Sequence, residues 1–133
     1  LLAGQSFGGA ASLALAARDP PGVRGVINFA GGGGGDPERH PERPCSEAAL
    51  ARTMAGYGAT ARVPALWLYS ENDRFWGPVR PRQWFEGYRE QGGFARFVAL
   101  PPAGADGHGI FTLQPSAWHP AVEGFLRYLG FHP

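Results

Sequence analysis

The sequence predicts an α/β fold, a parallel sheet flanked by helices, and three observations predict it. Strand-like apolar runs alternate with helix-like segments, which is the pattern of a parallel sheet wrapped by helices. The strand candidates are near-continuous apolar runs, the clearest being Val63-Pro64-Ala65-Leu66-Trp67-Leu68-Tyr69, as befits strands covered on both faces. Gly4-Gln5-Ser6-Phe7-Gly8-Gly9 places a G-x-S-x-G pattern between an apolar strand end and a run of small residues, the strand–turn–helix context that this pattern requires. A chain of 133 residues with 44% hydrophobic and 17% charged residues has one domain's worth of length and can bury a modest core.

Taken in order, residues 1–3 end a first strand and about 8–18 form a helix that stops at Arg18-Asp19-Pro20-Pro21. A second strand covers 23–30. Five glycines follow, Gly31 to Gly35, at the strand end where open α/β sheets bind ligands; a ligand loop and a free linker are both open readings. Residues 36–44 are polar, carry three prolines and read as irregular. Ser46 is placed to cap a helix over about 47–58, whose sparse apolar positions, Leu50 and Met54, mark a surface or small cap element. A third strand covers 63–69 and ends at the turn Ser70-Glu71-Asn72-Asp73. Pro78 opens a helix to about Gln91, with Trp84, Phe85 and Tyr88 on one face. A fourth strand covers 94–100, a loop 101–109, and a last helix about 120–129. Trp67 reads as core, and Phe111 and Trp118 as anchors of the last helix. The chain has no initiator methionine and opens inside a strand, which reads as a fragment whose upstream strands are missing, with one sheet edge bare.

Composition excludes several classes. A net charge of +1 gives no electrostatic case for nucleic acid or an acidic membrane surface. All twelve basic residues are arginine, so a lysine Schiff base, a serine–lysine dyad and a Walker-type phosphate loop have no cation to use. No apolar run approaches the roughly 18 residues of a membrane span, and no signal peptide is legible. Cys45 is the single cysteine, which leaves no internal disulfide and reads as a buried or bland thiol, with a bridge to a segment outside this chain as the lesser reading. One cysteine and four scattered histidines carry no metal-ligand spacing. The glycine run is followed by Asp36-Pro37 rather than by a helix, so it is no dinucleotide fingerprint. No metal and no cofactor is expected.

What chemistry remains centres on Ser6. The turn pushes its hydroxyl out beside a helix N-terminus, whose free N–H groups suit a developing oxyanion. A serine needs a base, and the base needs an anion to fix its tautomer. Of the histidines, His40 lies among charges in a Pro-rich loop, His119 stands just before Pro120, and His132 is next to the terminus. His108, in Asp106-Gly107-His108-Gly109, sits on a flexible loop between strand and last helix and is the favoured base. Asp73 follows the clearest strand and is the favoured acid, with Glu71 as its rival; Asp106 reads as solvated or capping. Phe75 and Trp76 either wall an apolar substrate pocket or pack on the glycine loop.

These residues together resemble the α/β-hydrolase superfamily, in its dienelactone-hydrolase-like branch, which shades into prolyl-oligopeptidase-type catalytic domains. The resemblance rests on Gly4-Gln5-Ser6-Phe7-Gly8-Gly9, on Glu71-Asn72-Asp73 after Leu66-Trp67-Leu68-Tyr69, and on Asp106-Gly107-His108. It implies that residues 1–133 are a partial domain, the C-terminal half of that fold from the nucleophile elbow to the last helix. It implies Ser6 as nucleophile, Asp73 as acid, His108 as general base and the Phe7 N–H as an oxyanion donor. The namesake enzymes of the branch use cysteine, so Ser6 points to a small-molecule ester substrate, or to a peptide, rather than to a dienelactone. A second oxyanion donor comes, in that superfamily, from a loop after an earlier strand, so the fragment alone is open to being inactive. A serine peptidase and a non-catalytic ligand-binding member are the alternatives; the latter expects a disordered elbow or His108 out of reach of Ser6.

Overall fold

The computed structural model describes residues 1–132. In chain order the elements are β1 (Leu2–Gln5), α1 (Phe7–Ala16), β2 (Val26–Phe29), β3 (Gly35–Asp36), β4 (His40–Pro44), α2 (Glu47–Thr60), β5 (Ala65–Ser70), α3 (Arg80–Glu90) and β6 (Ala95–Leu100), then a 3₁₀ turn (Gly107–Gly109), α4 (Ile110–Leu113) and α5 (Pro115–Tyr128). β1, β2, β5 and β6 pair in that order, every pair parallel.

The period of two along the strands sorts the core into two layers. Val26, Ala65, Trp67 and Tyr69 face α1, α2 and α3, packing with Leu13, Met54, Trp84 and Tyr88. Ile27, Phe29, Leu66 and Leu68 face the other way and pack with Ile110, Phe125 and Leu129. β2 and β5 are buried along their whole length, which is why their sequences read as near-continuous apolar runs. Full burial of a side chain such as Leu66 or Leu68 contributes about 1.5–3 kcal/mol. Phe111 and Trp118 stack on each other at 5.5 Å and both meet the edge of Phe29, so they do anchor the last helix on the sheet.

Several expectations are corrected. Residues 36–44 are not irregular: β3 and β4 form a short antiparallel ribbon. Its supports lie outside it. The Glu42 N–H donates to the Arg74 carbonyl at 2.6 Å, and Arg74 pairs with Glu38 at 3.4 Å. Ser46 makes no side-chain cap; the α2 start is instead tied to α3 by Glu47, which accepts from Arg80 Nε at 2.6 Å. α2 lies at the surface as expected, with Met54 and Gly58 its buried residues, and that face packs closely: a Cβ on Gly58 would lie 2.1 Å from the Tyr88 carbonyl oxygen. α3 opens at Arg80, with Pro81 in its first turn, rather than at Pro78. α5 begins at Pro115 and carries Pro120 inside it. Pro120 removes one helical hydrogen bond, but both it and Ser116 are exposed, so the loss falls on the solvent side of the helix. No helix among the described residues is long and apolar enough to cross a membrane.

Tyr88 packs its ring edge-on to Trp67 at 5.4 Å, yet its hydroxyl is buried with no hydrogen-bond partner among the described residues. Burial pushes its pKa up to about 12. A raised folded-state pKa means stability that is intact below the ordinary tyrosine value near 10 and is lost as pH climbs toward 12. Tyr88→Phe keeps the ring and removes the orphaned hydroxyl. Urea unfolding of this variant at pH 7 should show stability unchanged or raised by about 1 kcal/mol, with a shallower alkaline loss than the wild type. A clear loss at pH 7 would contradict this account.

Candidate active site

One residue joins β1 to α1. Ser6 turns the chain with φ 55° and ψ −123°, a conformation that costs a non-glycine residue on the order of 1–3 kcal/mol. The surroundings hold it there. The Ser6 N–H donates to the Phe29 carbonyl at 2.9 Å, and the Ser6 carbonyl accepts from Gly9, Ala10 and Gly32 at 3.0, 3.2 and 3.2 Å. Close approach of α1 to the sheet makes this possible. A Cβ on Gly4 would sit 2.2 Å from the Gly8 carbonyl oxygen, and one on Gly9 would sit 2.3 Å from Asn28 Oδ1. Gly8, the second fixed glycine of the pattern, has nothing within 4 Å of such an atom, so the steric need lies at Gly4 and Gly9.

The loop after β5 delivers the candidate acid. Asp73 is 0% exposed, and its Oδ1 accepts the backbone N–H groups of Phe75 and Trp76 at 2.8 and 3.1 Å. Its Oδ2 lies 3.0 Å from His108 Nδ1. The loop after β6 brings His108 back across the strand ends, where Nε2 lies 2.9 Å from Ser6 Oγ. An ionised carboxylate only accepts, so Nδ1 carries the proton and Nε2 presents its lone pair to the serine hydroxyl. Phe75 stacks on the imidazole with centroids 4.0 Å apart.

The sequence candidates thus divide. Ser6, Asp73 and His108 come together with Phe75 beside them. Phe7 opens α1, so its N–H has no intrahelical acceptor, and its side chain is 76% exposed. Trp76 does not wall a pocket: it is 1% exposed, donates from Nε1 to the Ala30 carbonyl at 2.8 Å, and lies against Gly32 and Gly35. The glycine run is accordingly neither a free linker nor an open ligand loop, since a Cβ on Gly32 would lie 2.7 Å from the Trp76 ring. Glu71 is exposed and lines a groove with Pro78, Arg82 and Phe97. His40, His119 and His132 are exposed. Cys45 is exposed, not buried. Asp106 caps the 3₁₀ turn through the His108 N–H. Among the described residues no group of three or more His, Cys, Asp or Glu is arranged to hold a metal ion.

Sequence reading passed over two polar features. Gln5 donates from Nε2 to the His108 carbonyl at 2.8 Å, across 103 residues of chain. Asn28 is fully buried within β2; its Nδ2 donates to the Tyr69 hydroxyl at 3.0 Å, which donates to the Gly31 carbonyl at 2.7 Å. Burial first, and the Asp73 charge further, push the Tyr69 hydroxyl's pKa well up against the opposing pull of Asn28, so it remains a neutral donor. The signal for Asn28 was present: a polar residue inside a run covered on both faces must find partners.

Two predictions follow from the turn. Gly4→Ala should lower stability by at least about 2 kcal/mol through overlap with the Gly8 backbone, whereas Gly8→Ala should leave it unchanged or raise it by up to about 1 kcal/mol; chemical denaturation of both variants compares them. Ser6→Gly and Ser6→Ala both lose the Oγ contact to His108 Nε2, and Ser6 makes no side-chain cap, so the two variants differ only in whether a Cβ sits at the positive φ. Ser6→Gly should melt higher than Ser6→Ala, which keeps the strained Cβ, by an amount equivalent to about 1 kcal/mol.

No protein-family model matches the chain, and no curated protein matches it in sequence. Solved structures do match it in shape. A candidate dienelactone hydrolase from Klebsiella pneumoniae subsp. pneumoniae superposes with a TM-score of 0.67 at 15% identity, covering 98% of this chain and 51% of its own. The esterase domain of a Rhodothermus marinus protein gives 0.63 at 23% identity, covering 95% and 60%. The acylaminoacyl peptidase of Pyrococcus horikoshii gives 0.63 at 13% identity, covering 96% and 23%. The chain therefore spans about half the length of the first of these structures. At these identities the likeness is one of fold, and that fold is the α/β-hydrolase fold.

Proposed function

We propose that the chain is the nucleophile-bearing part of a serine hydrolase that cleaves carboxylic esters of small molecules. The observation that carries this reading is the contact series Ser6 Oγ to His108 Nε2 at 2.9 Å and His108 Nδ1 to Asp73 Oδ2 at 3.0 Å, built on a serine with positive φ. In the first half-reaction Ser6 Oγ attacks the ester carbonyl carbon while His108 Nε2 takes its proton. Asp73 stabilises the imidazolium, and the oxyanion forms near the Phe7 N–H at the start of α1. Collapse returns the proton from His108 to the departing alcohol and leaves an acyl group on Ser6. Water, giving a proton to His108 Nε2, then attacks that acyl carbon; collapse breaks the bond to Ser6 Oγ, which takes the proton back from His108, and releases the acid and the free serine. No cofactor enters these steps.

The domain reading is part of the proposal. Residues 1–133 act as the C-terminal half of an α/β-hydrolase domain, from the nucleophile elbow to the last helix, and a second oxyanion donor is assigned to the other half. The coverage of roughly half of the matched candidate dienelactone hydrolase supports this. A purely ligand-binding member expects His108 out of reach of Ser6, and the 2.9 Å contact argues against it. A peptidase is the second reading, favoured by the acylaminoacyl peptidase among the fold neighbours.

The test is covalent labelling by a fluorophosphonate, applied to the chain and to an N-terminally extended parent, beside hydrolysis of p-nitrophenyl esters and peptide anilides. Label should reach Ser6 and vanish in Ser6→Ala. Asp73→Asn should lower ester turnover by roughly 10⁴-fold, the loss typical when the anion behind a catalytic histidine is neutralised. Anilide cleavage that outpaces ester cleavage would move the assignment to a peptidase. A folded parent that takes no label at Ser6 would end the hydrolase reading.

A further inference from the structure

We infer that Asp106 is a positioning residue: one oxygen of its carboxylate ties the acid loop to the base loop and so sets the reach of His108 toward Ser6. Its relevance to catalysis rests on the hydrolase reading above; its structural part does not. Asp106 Oδ1 accepts the His108 N–H at 2.9 Å and also the Arg74 N–H at 3.0 Å. A cap of the 3₁₀ turn needs only the first of these. The second comes from the peptide that directly follows Asp73, so the backbones carrying the base and the acid hang from a single atom.

The His108 backbone is fixed on its other side as well. Its carbonyl accepts from Gln5 Nε2 at 2.8 Å, and Gln5 is bonded to Ser6. The imidazole is therefore referred to the acid through its own N–H and to the nucleophile turn through its own carbonyl. The intervening loop has no slack to absorb an error. The Gly107 N–H donates to the Asn72 carbonyl at 3.2 Å, and a Cβ on Gly107 would lie 2.2 Å from both Asn72 Oδ1 and Ser70 Oγ. Loss of the Asp106 acceptor takes away the one atom the two N–H groups share and lets the two loops move apart, and the ring moves with its loop.

Position and charge make opposite predictions here. Both bonds use Oδ1, and an asparagine carbonyl at the same point accepts both N–H groups without any charge. A glutamate keeps the charge but carries it one methylene too far. If Asp106 acts by placement, Asp106→Asn works, and Asp106→Ala and Asp106→Glu do not. If it acts by stabilising the imidazolium through space, the glutamate works and the asparagine fails.

The experiment measures ester kinetics and fluorophosphonate labelling rates for the wild type and these three variants, together with the downfield NMR resonance of the His108 Nδ1 proton. Asp106→Ala should lose on the order of 10²-fold in kcat at nearly constant KM, and the Nδ1 resonance should broaden away. Asp106→Asn should stay within about 5-fold of the wild type and keep the resonance. Asp106→Glu should follow the alanine variant, and it decides the matter against asparagine should the alanine variant not fold. A folded alanine or glutamate variant with wild-type labelling and an intact resonance would overturn the inference, as would an asparagine variant as damaged as alanine. If the wild type shows the resonance but takes no label, the hydrolase reading fails, while the contrast between asparagine and the other two variants still decides whether Asp106 places the ring.

Discussion

At positive φ the Ser6 peptide has no intrinsic reason to stay put, and what keeps it is its carbonyl, which accepts from Gly9, Ala10 and Gly32 together. Two of these bonds start α1. The third pulls the glycine run against the turn, and the rest of the strand-end structure is assembled on that contact. Gly32 lies under the Trp76 ring. The Trp76 N–H reaches Asp73 Oδ1, Asp73 Oδ2 meets His108, and His108 meets Ser6 Oγ. The series leaves Ser6 by its main chain and returns by its side chain. Displacing any member shifts the geometry of the others, which is how a short chain holds three distant residues within hydrogen-bond reach.

A second constraint lies behind the first. Asn28 and Tyr69 are polar side chains in the middle of buried strands, and they end on the Gly31 carbonyl. Unpaired, such groups would each be destabilising by about 1–3 kcal/mol. Asn28 Oδ1 has no hydrogen-bond partner among the described residues, but Asn28 Nδ2 and the Tyr69 hydroxyl, bonded in series, fix the start of the glycine run from below as Trp76 fixes it from above. At Gly31 and Gly32 the need for glycine is thus packing against Asn28 and Trp76, while Gly34 takes a positive φ of 75°.

This explains what was legible in the sequence. Strands buried on both faces announce themselves, and β2 and β5 did so because nearly every residue in them is apolar. The turn at Ser6 and the loops bearing Asp73 and His108 were legible because strand ends, glycines and chain order confine them. The β3–β4 ribbon was not, because its partners are backbone groups of the Asp73 loop and its own residues, among them Pro37, Pro41 and Pro44, carry no alternation. The start of α5 was missed because Pro120 reads as a helix opener and Pro115 does the same job one turn earlier. Trp76 was open between pocket and packing, and only the distance to Gly32 decides for packing. Pairings such as Gln5 to His108 and Asp106 to Arg74 leave no local trace, since the partners meet only once the sheet has formed.

The strain at Ser6 also bears on how the fold is weighted. A chain of this size has a net stability of about 5–15 kcal/mol, so a strained turn of about 1–3 kcal/mol is a sizeable fraction of it. Positive φ by itself marks no site, since Asp19, Ala30 and Glu42 share it among the described residues; Ser6 differs in what its side chain faces. The surroundings over-determine a serine there: two glycines admit the helix, four backbone bonds hold the peptide, and a buried polar pair steadies the neighbouring loop. Strain that is opposed on every side and ends on an oxygen facing an imidazole is the physical reason to look for chemistry at Ser6, and the reason stands apart from any likeness to another protein.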